Sequence, residues 1–268
     1  MNAERNANQH TERQDLYFEA MADMDMTKHI GSIDATLRIA ELCHIGPESI
    51  VLDVGCGVGY TPVYVARKLG CKVVGIDLYK AIVERARSRV RREGLEDRIE
   101  IRQGDMMDLP FDDGQFDVVM AESVVAFAPD KARALAEFAR VLKPGGHVGF
   151  TEATWNREPT PEMLARLPSI FGANFATYSV DGWRTLVEGA GFEDVVAEAH
   201  PIQIKREAQG RMERIGCRNM LGVLGNFFVM LVKKPQIRKL YGGAMKEPKE
   251  LVTAWDYGIY AGRKPGES

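Results

Sequence analysis

An α/β fold with a largely parallel sheet and helices on both faces is the architecture this chain predicts, and two observations carry the prediction. Short β-rich runs alternate with segments of helical periodicity between residues 33 and 152, the pattern of successive strand–helix–strand units. The first run opens a loop with three glycines, VLDVGCGVGYTP (51–62), where a strand hands over to a helix. A length of 268 residues suits one elaborated domain, or one with a lid, better than two equal domains.

Taken in order, Ser32 can cap a helix whose apolar positions Ile33, Leu37, Ala40 and Leu42 approximate a 3.6 period, ending near Gly46 and Pro47. Strands follow at IVLDV (50–54), KVVGI (72–76), RIEIR (98–102), FDVVMA (116–121) and HVGFTE (147–152). Thr61 and Pro62 supply an N-cap and a proline at the first helical position, with Gly70 closing that helix. Residues 81–92 carry Ile82, Ala86 and Val90 on one side and an arginine-rich, solvated face on the other, ending at Gly94. A helix over 131–142 stops at LKPGG, where Pro144 and Gly145 turn the chain into the next strand. Beyond 152 comes a proline-containing linker, a helix over 181–188, the strand FEDVVAEA (192–199) and a second strand AWDYGIYAG (254–262). Between these two strands, residues 201–254 look helical and rich in Met, Phe and Leu. That is too long for an ordinary connection, so an inserted lid is expected.

Composition removes several function classes. Lys plus Arg total 35 against 38 Asp plus Glu, a formal charge of -3, without the basic excess that a nucleic-acid partner demands. Cys43, Cys56, Cys71 and Cys217 show no metal-ligand spacing, so no metal is expected and the thiols read as reduced, in a cytoplasmic protein. The polar start, MNAERNANQHTERQD, has no apolar core of a secretion signal and reads as a mobile arm. The run 220–232 is shorter than the ~20 residues that cross a bilayer. It reads as subdomain core, as an adaptable wall for a greasy substrate, or, with the basic residues up to 239, as a membrane-surface contact.

The glycine loop selects a ligand. Gly55, Gly57 and Gly59 are spaced G-x-G-x-G, which fails the G-x-G-x-x-G dinucleotide fingerprint in both registers, and no Gly-Lys-Ser/Thr follows. An acid, Asp53, precedes the loop, suiting a cationic group and repelling a pyrophosphate. Asp77 ends the second strand and could accept both hydroxyls of a ribose, or cap a helix. Asp105 follows the third strand and could meet an adenine edge, or start a turn. Three acids at three successive strand ends describe an ammonium group, a ribose and an adenine together, the make-up of S-adenosylmethionine.

The chain resembles a class I S-adenosylmethionine-dependent methyltransferase over roughly residues 33–152, through VLDVGCGVG, VVGID, GDMMDLPFDDGQFDVV and RVLKPGG in order. RVLKPGG followed by a strand and Glu152 is similar to the small-molecule branch with ubiquinone, menaquinone and sterol C-methyltransferases. The resemblance implies a Rossmann-like sheet of seven strands, the last antiparallel. It places Asp53, Gly55, Cys56 and Gly57 around the methionine moiety, Asp77 on the ribose and Asp105 with Met106 at the adenine. Gly59 and Leu78 join the cofactor-facing set, and Glu122 lies near the cofactor amino group. Tyr17, His29 and Ser32 lie in the segment that closes over the cofactor in relatives. Glu152 and His29 are the catalytic candidates, Glu152 because it ends the fifth strand where a substrate would enter.

The expected organisation is an arm and cofactor-closing segment (1–30), a core (31–200 and 255–268) and a substrate-binding lid (201–254). The expected activity is methyl transfer from S-adenosylmethionine to a small apolar or aromatic molecule, with S-adenosylhomocysteine as product. A non-catalytic sensor of the same cofactor is the alternative. Strand 4 runs into AESVVAF, without the Asn/Asp-Pro-Pro-Tyr/Phe motif of enzymes that methylate amide or adenine nitrogens and without a Pro-Cys nucleophile. The oligomeric state has no sequence signal.

Overall fold

The computed structural model describes residues 30–215 and 253–266, with positions 18, 20 and 23 and some positions between 222 and 235. Five strands, β1 (Ile50–Val54), β2 (Lys72–Asp77), β3 (Ile99–Gln103), β4 (Phe116–Glu122) and β5 (Leu142–Trp155), run parallel. A two-residue strand, β6 (Tyr178–Ser179), pairs with the end of β5. The strands β7 (Glu193–His200) and β8 (Trp255–Arg263) complete the sheet, with β8 antiparallel to both β5 and β7. The spatial order is β3-β2-β1-β4-β5-β8-β7. The seven-stranded sheet with its final antiparallel strand is therefore observed, and β6 is an addition to it.

The connecting helices are α1 (Ser32–Leu42), α2 (Tyr60–Leu69), α3 (Lys80–Arg92), α4 (Lys131–Val141), α5 (Pro161–Phe171), α6 (Val180–Gly189) and α7 (Ile204–Ile215). Near-continuous apolar strands are what a sheet covered on both faces requires. On one face Leu52, Val119, Phe138, Phe150 and Trp183 form a core; on the other Ile39, Val51, Val73, Val83 and Met120 form a second. All three tryptophans stand at the β5–β8 side: Trp183 is fully buried with its ring 5.7 Å from that of Phe150, while Trp155 and Trp255 meet edge to face at 5.3 Å.

Several local expectations are corrected. The N-cap of α1 is Gly31, without a side-chain cap, because Ser32 already lies inside the helix. The N-cap of α2 is Gly59, and the Thr61 hydroxyl turns instead to a carboxylate on β4. The proline-containing linker holds a helix, α5, whose N-cap Thr160 accepts from the Met163 N–H and whose Pro161 stands at its start. Pro168 inside that helix obscured its period, since proline normally breaks one. β5 begins at Leu142 and not at His147, because the Gly145 N–H bonds to the Lys264 carbonyl beyond β8 and keeps LKPGG in the sheet.

The topology sets the site. Strand order reverses between β1 and β4, and in an open α/β sheet the crevice at such a reversal, outside the carboxyl ends of the strands, is where ligands bind. Among the described residues, no helix is long and apolar enough to cross a membrane.

α1 lies close on the sheet at Gly149, where an added Cβ would stand 2.5 Å from Cys43 Sγ and 2.7 Å from Ile39 Cγ2. Gly149→Val should therefore lever α1 off β5 and cost about 1–3 kcal/mol, the usual scale of overpacking. Urea denaturation followed by circular dichroism measures it, and a midpoint equal to wild type would contradict the tight α1–β5 approach.

Candidate functional site

The loop between β1 and α2 is shaped by packing on its own neighbours. Gly55, Gly57 and Gly59 all have positive φ, of 70°, 55° and 87°. A Cβ on Gly55 would lie 2.5 Å from Val124 Cγ2, and one on Gly59 would lie 3.1 Å from the Ala86 Cα of α3. These two glycines let the loop sit against the segment after β4 and let α3 approach. The Cys56 N–H bonds to the Ile76 carbonyl at 2.8 Å. The Cys56 thiol is pushed well up, by burial first and then by Asp77 and Asp53, which makes it a poor nucleophile. Below the loop, the buried Arg89 guanidinium stacks over the Tyr60 ring at 3.3 Å and donates to the Val58 carbonyl. No loop-length or spacing argument pointed to Arg89, which sits within an otherwise solvated arginine run.

Three strand ends bring acids to this loop, and a fourth acid follows β3. Asp53 of β1 is 2% exposed. Asp77 at the end of β2 accepts from the Gly57 N–H through Oδ2 and from the Tyr79 N–H through Oδ1, each at 3.1 Å. Burial pushes the Asp77 carboxyl up to about 6, against the pull of the N–H groups of Tyr79, Gly57 and Leu78. Asp77 thus serves loop and helix start together, with its carboxylate between the two. Leu78 is 52% exposed, an apolar side chain standing open beside it. After β3, the Asp105 Oδ1 accepts from the Met107 N–H at 2.9 Å, so this side chain closes a turn, and Met106 packs partly buried against the core. Glu122 at the end of β4 accepts from Thr36 of α1 at 2.6 Å and from Thr61 of α2 at 2.7 Å. Neither threonine carried a sequence signal for that role.

Beyond β4 the chain passes through Ser123, at φ 56°, into a 3-10 turn over Val125–Phe127. Ser123 Oγ accepts from the Ile30 N–H at 3.0 Å, anchoring the end of the N-terminal segment. Glu152 is 1% exposed, and its Oε1 accepts from the Ala126 N–H at 3.0 Å. Its carboxylate thus faces the turn. Burial pushes Glu152 up to about 7, opposed first by the N–H groups of Ala126 and Val125, then by Lys131.

Two chain segments meet above the loop. Phe18 and Val223 pack with Val58, Tyr60, Tyr79 and Ile82, and the Phe18 ring lies 5.0 Å from Tyr79 and 5.3 Å from Phe127. The helix α7 grips the start of α1: Glu207 Oε1 accepts from the Gly31 N–H at 2.9 Å, and Arg206 pairs with Asp34 through two bonds of 2.6 Å. Tyr17 and His29 lie outside the described residues, as does Cys217 and most of 216–252. Among the described residues, no group of three or more His, Cys, Asp or Glu is placed to hold a metal ion.

The residues present fit S-adenosylmethionine. Buried carboxylates favour a cationic ligand and oppose a pyrophosphate, and an apolar side chain lies open beside the ribose candidate. A family model described as a methyltransferase domain matches residues 52–150. A sarcosine/dimethylglycine N-methyltransferase of Halorhodospira halochloris is 34% identical over 171 residues, 63% of this chain and 60% of that protein. The methyltransferase GfsG of Streptomyces halstedii is 37% identical over 165 residues, 59% of this chain and 58% of that one. The chain thus spans about three fifths of the length of these curated relatives. Among solved structures, a Haemonchus contortus phosphoethanolamine N-methyltransferase 2 bound to S-adenosyl-L-methionine superposes with TM-score 0.71 at 20% identity, covering 92% of this chain and 56% of that one. The cyclase SpnF superposes with TM-score 0.68 at 24% identity, covering 87% and 81%.

Removing the Asp77 carboxylate should weaken S-adenosylhomocysteine binding by about 1.5–3 kcal/mol, the scale of charge-assisted hydrogen bonds. Titration calorimetry of Asp77→Ala reads this directly, and an unchanged affinity would remove Asp77 from the cofactor set. A second expectation concerns pH. An acid raised on folding lends stability that is present below its free value and lost as pH rises through the folded one. Glu152, raised from 4.5 to about 7, should make the wild type lose stability from pH 5 to pH 8 by more than Glu152→Gln does. Urea midpoints at the two pH values compare them, and equal losses would mean that Glu152 titrates as a free carboxyl.

Proposed function

We propose that this chain, whose residues 52–150 match a methyltransferase domain, is a class I S-adenosylmethionine-dependent methyltransferase that transfers a methyl group from that cofactor to a small apolar or aromatic acceptor. The observation that carries this reading is the set of buried acids, Asp53, Asp77 and Glu122, gathered at strand ends around a glycine loop that pyrophosphate would not enter. When bound, the cofactor supplies an electrophilic methyl on a sulfonium. The protein's own tasks are then to align the acceptor in line with the departing sulfur, to exclude water, and to take up any proton the acceptor loses.

The acceptor class is supported by the walls near the carboxyl ends of β4 and β5. Phe127 touches Phe175 at 5.1 Å, Phe175 stacks on Phe171 at 4.4 Å, and Phe171 meets Trp255 at 5.3 Å. Phe175 is buried and Phe127, Phe171 and Trp255 are partly buried beside it, and an aromatic cluster of this kind next to a site suits a flat or greasy molecule. Relatives are named for both amine and sterol acceptors, so the acceptor class rests on the aromatic wall. The N-terminal segment and residues 201–254 are assigned the role of cover, on the ground that Phe18, Val223 and α7 all converge on the loop and the start of α1. His29 and Tyr17 belong to that cover in this reading.

Fold does not fix chemistry, and one protein of this fold is named as a cyclase. The test therefore separates binding from turnover. Calorimetric titration should show heat with S-adenosylmethionine and none with NADH. Labelled methyl should then pass to members of a quinol, phenol, sterol and amine panel, with products identified by mass. Label appearing only in amines would overturn the acceptor class. Binding without transfer to any member would favour the sensor reading.

A further inference from the structure

We infer that Glu152 is a positioning residue which, by holding the Ser123–Phe127 turn, keeps the glycine loop and the N-terminal anchor in their ligand-ready arrangement, and that it does not meet the methyl acceptor. The inference rests on the cofactor reading above. Its ground is a set of contacts that converge on five consecutive residues.

From inside the molecule, the turn is held by Glu152. The Phe127 and Ala128 N–H groups bond within the turn, to the Val124 and Val125 carbonyls. The N–H groups that open a 3-10 turn have no partner inside it, and here the Ala126 N–H finds the buried Glu152 Oε1 at 3.0 Å. The neighbouring cation, Lys131, directs its Nζ at the Ala128 carbonyl at 2.9 Å and at the Asn174 carbonyl at 3.4 Å. Lys131 therefore secures the far end of the same segment while Glu152 secures its start.

From outside, three features of the site lean on that turn. Val124 fills the space that a side chain on Gly55 would need, its Cγ2 only 2.5 Å from the position of such a Cβ. Ser123 Oγ holds the Ile30 N–H at 3.0 Å. Phe127 sets its ring against Phe18 at 5.3 Å and Phe175 at 5.1 Å. A packed interior passes on a displacement and does not absorb it. Loss of the carboxylate would leave a buried N–H unsatisfied, a penalty that relaxation of the turn relieves. Such relaxation moves Val124, and the loop over Gly55 follows.

The test is a double-mutant cycle on S-adenosylhomocysteine affinity, with Glu152→Leu, which has no acceptor for the Ala126 N–H, Val124→Ala and the pair, each measured by titration calorimetry. Each single change should weaken binding by about tenfold, and the pair should be no weaker than the worse single variant by more than about twofold, the signature of coupled residues. With an acceptor in hand, kcat of Glu152→Leu at saturating cofactor should stay within about threefold of wild type. Losses that multiply in the pair would make Glu152 independent of the loop. Unchanged affinity with a collapse of kcat would make it a catalytic residue. Either result overturns the inference while leaving the cofactor reading intact, whereas a wild type that binds no S-adenosylhomocysteine overturns both. If Glu152→Leu does not fold, hydrogen exchange on the wild type decides: the amides of residues 124–126 should gain protection on adding S-adenosylhomocysteine, because coupling is reciprocal. No gain there overturns the inference.

Discussion

Two threonine hydroxyls on neighbouring helices donate to one buried carboxylate, and the site is assembled around that bridge. Thr36 belongs to α1 and Thr61 to α2, and both reach Glu122 at the end of β4. Hydrogen bonds to a charged group contribute about 1.5–3 kcal/mol each, and a buried charge that loses its donors costs more than the bonds were worth. The bridge fixes α1 and α2 to the end of the strand where the sheet reverses its order. With α2 so placed, the glycine loop that precedes it has little freedom. With α1 so placed, its first turn is presented to α7 and to the incoming N-terminal segment.

The same logic runs through the other acids of the crevice. Asp77 accepts two backbone N–H groups, one from the loop and one from the start of α3, and so joins β2 to both. Glu152 joins β5 to the turn after β4. Asp105 closes its own turn after β3. Carboxylates that a ligand-centred reading assigns to substrate or cofactor are thus also the protein's internal fasteners. A binding crevice built this way is preorganised, since its charges are already held by donors before a ligand arrives.

Much of this was legible in the sequence, for identifiable reasons. The strands announced themselves as apolar β-branched runs, and the glycine spacing with Asp53 set the loop apart from a pyrophosphate cradle. The helix α5 was hidden because Pro168 interrupts its period, and the early start of β5 was hidden because Pro144, Gly145 and Gly146 resemble a turn. Thr36, Thr61, Ser123 and Glu207 could not be found from sequence, because their roles depend on partners far along the chain, such as Glu122 lying 86 residues from Thr36. Arg89 was read as one more solvated arginine because only its position on the inward side of α3, under Tyr60, distinguishes it. Glu152 lies in β5 three residues short of its end at Trp155, and its hold on the turn after β4 could not be read from sequence, since a strand position does not say which loop will fold back over it.

The clustering of the three tryptophans has an optical consequence. Trp155, Trp183 and Trp255 all stand on or beside β5 and β8, and none lies in β1, β2 or the glycine loop. Tryptophan fluorescence of this molecule is therefore an indicator of one half of the sheet. It will report events at the aromatic wall, while the half that carries the glycine loop stays dark to it.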